Sequence, residues 1–217
     1  YGSGNNVSML SFYDVEGDER TLSESVEYGY DENGKIISDK EIEYNEGIKV
    51  SVTENTYKNS VTIASTSTRY DENGDFEIKR VETAEISEDG SDEIYTTTEY
   101  DAEDKLIGKT IQEYKYDENK NEIYQSLKVY DENDALTSTT VLESEYDSNG
   151  DLIKSEETAY DENDTVITKV VAEYELDENG LCLKEISTEY EGDTLERKSV
   201  TEYEYDEEGN EIDSKTT

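Results

Sequence analysis

Residues 70–75 read Tyr-Asp-Glu-Asn-Gly-Asp (YDENGD). The phrase returns as YDENGK from Tyr30, YDENKN from Tyr116, YDENDA from Tyr130, YDSNGD from Tyr146, YDENDT from Tyr160, LDENGL from Leu176 and YDEEGN from Tyr205. In such a phrase Asp71 is suited to accept hydrogen bonds from backbone amides two residues on. Gly74 is suited to the positive φ that closes a type I turn with a bulge. Asn tolerates the left-handed conformation better than most side chains. Asn119, Asn133 and Asn163 are therefore expected to carry it where the Gly has become Lys or Asp. The Tyr before each turn closes a strand and is placed to pack across onto its neighbour. The phrase reads as punctuation between strands.

The spacing of that punctuation sets the architecture. From Tyr70 the residue before each turn is Ile86, Tyr100, Tyr116, Tyr130, Tyr146, Tyr160, Leu176, Tyr190 and Tyr205, in steps of 16, 14, 16, 14, 16, 14, 16, 14 and 15. Tyr70, Tyr100, Tyr130, Tyr160 and Tyr190 stand 30 residues apart. Regularity of this kind marks a repeat architecture. The earlier steps, from Tyr13 through Tyr30, Tyr44 and Tyr57, are looser. The reading is one β-repeat domain over 1–217, with irregular repeats in 1–69 and regular 30-residue repeats in 70–205. A start at Tyr1 rather than Met fits a fragment of a longer chain.

Between the turns the chain alternates. In 165–176, Val166, Thr168, Val170, Ala172, Tyr174 and Leu176 fall on one side, and Ile167, Lys169, Val171, Glu173 and Glu175 on the other. Alternation of β-branched and aromatic residues is the strand signal. Because the steps of 16 and 14 are both even, face parity is expected to persist. That gives one Tyr and aliphatic face and one more charged face. Fourteen turns imply up to about fifteen strands, an all-β antiparallel meander of hairpin repeats. Open sheets rarely pass ~10 strands without curling or splitting, so a curled or spiralled sheet is predicted. A 14-stranded outer-membrane barrel fits strand number and length. It would, however, place Lys and Glu against lipid at mid-strand, at ~2–4 kcal/mol for each cation.

Composition narrows the function classes. Lys and Arg number 19 against 59 Asp and Glu, a formal net charge of -40. Leu, Ile, Val and Phe make up less than a fifth of the chain, which with such charge is the signature of disorder. The strict spacing, 19 Tyr and many Val, Ile and Thr oppose that reading. A surface of this sign repels phosphate, so neither nucleic acid nor insertion into an anionic membrane is expected. With no His, the His-dependent triads and the usual zinc sites are excluded. Cys182 in LCLKEIS sits at an alternating strand position, where a small half-buried residue is expected rather than a reactive thiol. No phosphate-binding or dinucleotide motif appears. The expectation is a protein that is not an enzyme, with no catalytic residues, no cofactor site and no metal ligand set.

Three weaker signals remain. Asp71, Asn73 and Asp75 place oxygen atoms at alternate positions, like the start of an EF-hand loop, but the Gly at position 6 and the bidentate Glu at position 12 are missing. Turn chemistry already accounts for these residues, so weak, diffuse association of divalent cations is the expectation. Rows of Tyr could form a platform for a glycan or peptide. With so little Leu and Phe, however, the Tyr are needed as core. Asn6-Val7-Ser8 and Asn163-Asp164-Thr165 match the glycosylation pattern.

Tyr-Asp-x-x-Gly-x-(Leu/Ile) resembles the YD repeat of bacterial RHS-type proteins, as in Tyr30-Asp31-x-x-Gly34-x-Ile36 and Tyr146-Asp147-x-x-Gly150-x-Leu152. Tyr70-Asp71-x-x-Gly74-x-Phe76 and Tyr205-Asp206-x-x-Gly209 are close variants. The resemblance implies secreted or cell-surface β-hairpins that spiral into shells or stalks and act as scaffold. The sequence departs from that pattern in lacking an RHS core segment, a toxin domain and any Trp, and in being far more acidic. The expected function is a structural or interaction module: a stalk, spacer or adhesin segment whose partner is a protein or glycan at the cell surface. The alternatives are a ligand-binding module with a Tyr-lined face for glycan or peptide, and an acidic decoy for a basic protein. Repetition this regular also fits an artificial sequence.

Overall fold

The alternating segments become strands because β-branched and aromatic side chains fill positions between turn signals. The computed structural model describes residues 8–16, 19–206 and 208–217. Asn6 and Val7 of the first glycosylation match, and the Tyr1 start, lie outside the described residues. The first strands are β1 (Met9–Glu16), β2 (Glu19–Tyr30), β3 (Ile36–Asn45), β4 (Ile48–Lys58), β5 (Val61–Tyr70), β6 (Phe76–Ile86) and β7 (Asp92–Tyr100). Then come β8 (Leu106–Tyr116), β9 (Glu122–Tyr130), β10 (Leu136–Tyr146), β11 (Leu152–Asp161), β12 (Val166–Leu176), β13 (Cys182–Glu191), β14 (Thr194–Tyr205) and β15 (Glu211–Thr216). They make one 15-stranded antiparallel sheet in sequence order from β1 to β15, the meander that the spacing predicts.

The order is open, with β1 and β15 at its ends, so the sheet is not closed on itself. The expectation of a curled or spiralled sheet is corrected by the burial. A sheet rolls up to bury an apolar face, and here charged residues interrupt both faces. Among the described residues no large side chain is fully buried. The buried positions are small and lie at mid-strand: Val26, Val52, Ala172, Ser25, Ser126, Thr139 and Thr158.

The chain divides into two compact units, one of Tyr1–Glu85, Tyr95–Thr110 and Asp131–Asp134, the other of Ile86–Ile94, Ile111–Tyr130 and Ala135–Thr217. In the second unit the register itself repeats. Val129 opposite Ser138 becomes Ala159 opposite Thr168, and Glu145 opposite Lys154 becomes Glu175 opposite Lys184. In the first unit, β3–β4 and β4–β5 are joined by the two-residue loops Glu46-Gly47 and Asn59-Ser60, with φ of 50°, 82°, 53° and 70°. Positive φ at both positions is the type I′ hairpin, which explains the shorter repeats there.

The single Tyr face is also corrected. Residues opposite one another share a face. In the second unit Lys169 faces Thr158 and Tyr190, so Tyr160 and Tyr190 lie together. Tyr174 faces Glu185, and through Thr201 and Ser155 this other face holds Tyr203, Tyr205 and Tyr146. In the first unit Tyr44 and Tyr70 share one face, Tyr28 and Tyr57 the other. The cause is a bulge at each hairpin whose register is described. Tyr160 pairs with Val166 and Ala159 with Thr168, leaving Ile167 unpaired. That one extra residue inverts the strand beyond it. Val166 consequently sides with Tyr160, not with Thr168.

Candidate functional site

The acidic turns are built from their own backbone. Gly74 N–H donates to the Asp71 carbonyl at 2.9 Å, and Asp71 N–H to the Asp75 carbonyl at 2.9 Å. Asp71 Oδ1 accepts from the N–H groups of Asn73 and Asp75, both at 2.9 Å, and Asn73 Nδ2 donates to Asp71 Oδ2 at 3.3 Å. The same backbone bonds recur around Asp147, Asp177 and Asp206. The N–H of Asp75, then that of Asn73, favours the charged form and holds the Asp71 carboxyl below its ordinary value. Asp147 and Asp177 are lowered likewise, first by the N–H groups of Asp151 and Leu181. Asp89 is lowered to about 2, chiefly by the hydroxyl and N–H of Ser91. Asp71 and Asn73 therefore use their side chains within the turn, and Asp75 joins it through its backbone N–H and carbonyl. Among the described residues no group of three or more His, Cys, Asp or Glu is placed to hold a metal ion.

The left-handed position is Gly at 34, 74, 150, 180 and 209. Where Gly is absent, it is Asp104, Lys120, Asp134 and Asp164 that take φ of 61°, 68°, 61° and 60°. Asn119, Asn133 and Asn163 do not; they stand one residue earlier and donate their N–H to Asp117, Asp131 and Asp161 at 2.8, 2.9 and 2.8 Å. The loop geometry fixes the strained place one residue after the Asn, whatever side chain stands there. Most of these replacements are paired to a neighbouring hairpin. Lys79 bonds Asp104 and Lys109 bonds Asp134, 30 residues on. Lys120 Nζ donates to the carbonyls of Asp89 and Gly90 at 2.8 and 3.0 Å. These contacts between turns, missed by local reading, have a signal in the sequence: Lys at 49, 79, 109 and 169 keeps the 30-residue period.

The Tyr rings are fixed by cations and carbonyls. Lys49 Nζ lies 3.7 Å from the Tyr70 ring centre and Lys79 Nζ 4.5 Å from that of Tyr100, a cation–π pair repeated at the same period. Tyr146 OH donates to the Glu122 carbonyl at 3.1 Å and Tyr205 OH to the Cys182 carbonyl at 2.9 Å. The Tyr57 hydroxyl donates to Asp39, and that bond pushes its pKa up to about 12. Cys182 is half-buried, and burial raises its thiol pKa, which disfavours the nucleophilic thiolate. Asn163 is exposed on its turn.

Sequence reading also missed the bulge residues. Ile153, Leu183 and Ile212 are the residues skipped by the register beside their turns. Leu183 and Ile212 are exposed. Between the turns 177–181 and 206–210 they border an open depression of ≈ 880 Å³, with Tyr203 and Tyr205 along its side and Asp177, Glu204, Asp206 and Glu208 around it.

No protein-family model matches the chain, and no curated protein matches it. Among solved structures it is similar to a porin-like protein from Bacteroides vulgatus ATCC 8482, with TM-score 0.39 and 13% identity over 91% of this chain and 98% of that one. It is also similar to a chain of the TcdB2-TccC3-TEV structure, with TM-score 0.19 and 12% identity over 89% of this chain but only 15% of that one. At these scores neither likeness carries an argument about activity.

Proposed function

We propose that the chain is a structural and interaction repeat module, a stalk, spacer or adhesin segment of a secreted or cell-surface bacterial protein. It does not act as a catalyst. The observation that carries the reading is the register that repeats at 30 residues, Val129 and Ser138 recurring as Ala159 and Thr168. Most turns of the regular repeats are closed by an Asp carboxylate of the same hairpin, and neighbouring repeats meet along their strands and through lysine contacts to adjacent turns. Units of this kind add length without altering their neighbours. The YD-like turn phrases supply the bacterial surface assignment. The charge of -40 keeps such a ladder soluble and repels a second copy. Divalent cations associate with it diffusely, and its partners are surface proteins or glycans.

The test is excision of one repeat. Deleting 147–176 joins Tyr146 to Asp177 and brings β10 against β13 in the register that β10 keeps with β11. Spin labels at positions 128 and 198, in a Cys182→Ser background, should move closer by about 10 Å, two strand spacings, with a cooperative melt retained. An unchanged separation, or a broad distribution with loss of the melt, overturns the spacer reading.

A further inference from the structure

We propose that the depression between turns 177–181 and 206–210 receives a proline-rich peptide in polyproline II conformation that carries regularly spaced basic residues. Its apolar side is open to solvent: Leu183 is 44% and Ile212 62% exposed, beside Tyr203 and Tyr205. The two rings are held in place, since Tyr203 OH donates to Glu185 Oε2 at 3.1 Å and Tyr205 OH to the Cys182 carbonyl at 2.9 Å. Fixed aromatic walls beside aliphatic side chains suit proline rings, which arrive already ordered and lose little entropy on docking.

Charge selects the second feature of the peptide. Asp177 and Asp206 flank the depression, and turn hydrogen bonds keep both carboxyls ionised, through Leu181 N–H first for Asp177 and the Asn210 side chain first for Asp206. Glu204 and Glu208 add to the same rim. A lysine or arginine is the matching group. The spacing then selects the pattern. Turns on one edge of a meander recur every second strand, about 10 Å apart. A polyproline II helix repeats every third residue, about 9.3 Å. Ile153 and Leu183 occupy the same bulge position in successive hairpins of this edge. A basic residue at every third position therefore meets successive acidic turns while proline rings lie on successive bulge side chains. A glycan fits less well, because the Tyr hydroxyls already donate within the protein.

The inference does not rest on the spacer reading, and its test leaves that reading untouched. Fluorescence anisotropy of the full chain with a labelled peptide of five Pro-Pro-Lys repeats is compared with a peptide of equal composition whose lysines are contiguous. In about 150 mM salt, where loose attraction is screened, the spaced peptide should bind about ten-fold tighter. The double variant Leu183→Ser/Ile212→Ser and the single variant Glu208→Gln should each weaken it, with unchanged circular dichroism melts. Equal binding of the two peptides reduces the effect to charge attraction and overturns the proposal. Absence of binding, indifference to both variants, or displacement of the peptide by a chito-oligosaccharide also overturns it.

Discussion

Two kinds of hairpin stand in the same sheet. Those of β10 to β13 turn through Asp-anchored loops, in which a carboxylate accepts two backbone N–H groups and a residue of positive φ completes the turn. Those of β3 to β5 turn through two residues each, Glu46-Gly47 and Asn59-Ser60, with no such anchor and with every loop residue left-handed. Both kinds nevertheless carry the same one-residue bulge beside the turn Tyr. The bulge is thus the constant of the repeat, and the loop is a replaceable closure. The longer loop spreads its cost over side-chain bonds, whereas the shorter one concentrates it in left-handed residues that are not all glycine.

Acid should separate the two kinds most strongly. Asp71, Asp89, Asp101, Asp117, Asp147, Asp161, Asp177 and Asp206 all have lowered pKa values in the fold. Their contribution to stability is present above the ordinary value of 3.8 and is lost as pH falls through the folded values, for Asp89 about 2. Glu41 runs the other way. Burial, then Glu24 and Glu43, raise its pKa above 4.5, so stability grows as pH falls toward that value. Tyr57, raised to about 12 by Asp39, loses stabilisation once the pH climbs past 10.0. Urea unfolding against pH should show a maximum close to pH 4, with losses on both sides. Hydrogen exchange below the maximum should open the Asp-anchored loops before those at 46–47 and 59–60. Simultaneous opening of both kinds would break the comparison.

Gly180→Ala tests the anchored loop at its tightest point. Gly180 has φ of 83°, and a Cβ there would lie 2.9 Å from Asp151 Oδ2 in the adjoining turn. The left-handed backbone alone costs ~1–2 kcal/mol for a side chain, and displacing Asp151 adds to it. Gly150→Ala, with φ of 90° and no atom nearer than 3.7 Å, should cost the backbone term only. Equal losses in thermal melts of the two variants would show that neighbouring turns do not constrain one another. Ser60→Gly tests the short loop in the opposite direction. It creates Asn-Gly, the preferred type I′ pair, and relieves Ser60 at φ 70°. A gain of about 1 kcal/mol is expected, and a loss would mean that the Ser60 side chain supports the loop.

Strands, turns, the 30-residue period and the antiparallel order were legible because each rests on local chemistry repeated many times. Asp71 and Gly74 act as their types dictate. The faces were not legible, because a bulge such as Ile167 recurs in each hairpin whose register is described and leaves the spacing even while it inverts the strand. The left-handed residues were misplaced by one because propensity favours Asn119, whereas the Asp117 anchor fixes the count from its own position and puts Lys120 there. The candidate site was least legible. Its bulge side chains and turn carboxylates come from two hairpins, and an exposed Leu183 or Ile212 reads in sequence as one more strand residue.

The smallest effect follows from a gap in the period. Lys79 bonds Asp104 and lies over the Tyr100 ring, and Lys109 bonds Asp134, but Thr139 stands at the next place, before Tyr160 and Asp164. Thr139 is buried opposite Tyr160. The side chains of Lys79 and Lys109 are only 28% and 21% exposed, so a lysine stem fits this kind of place with its ammonium at the turn. Thr139→Lys should therefore lay its stem along Tyr160 and reach Asp164. An exposed pair of this sort contributes about 0.5 kcal/mol, set against the loss of a small buried residue. A double-mutant cycle with Asp164→Ala isolates the pair from that loss. Coupling that disappears in high salt would show that the lysine ladder ties each left-handed turn to the hairpin before it. Zero coupling at any salt would leave Lys79 and Lys109 as solvated charges, with Asp101 and Asp131 alone anchoring the turns they reach.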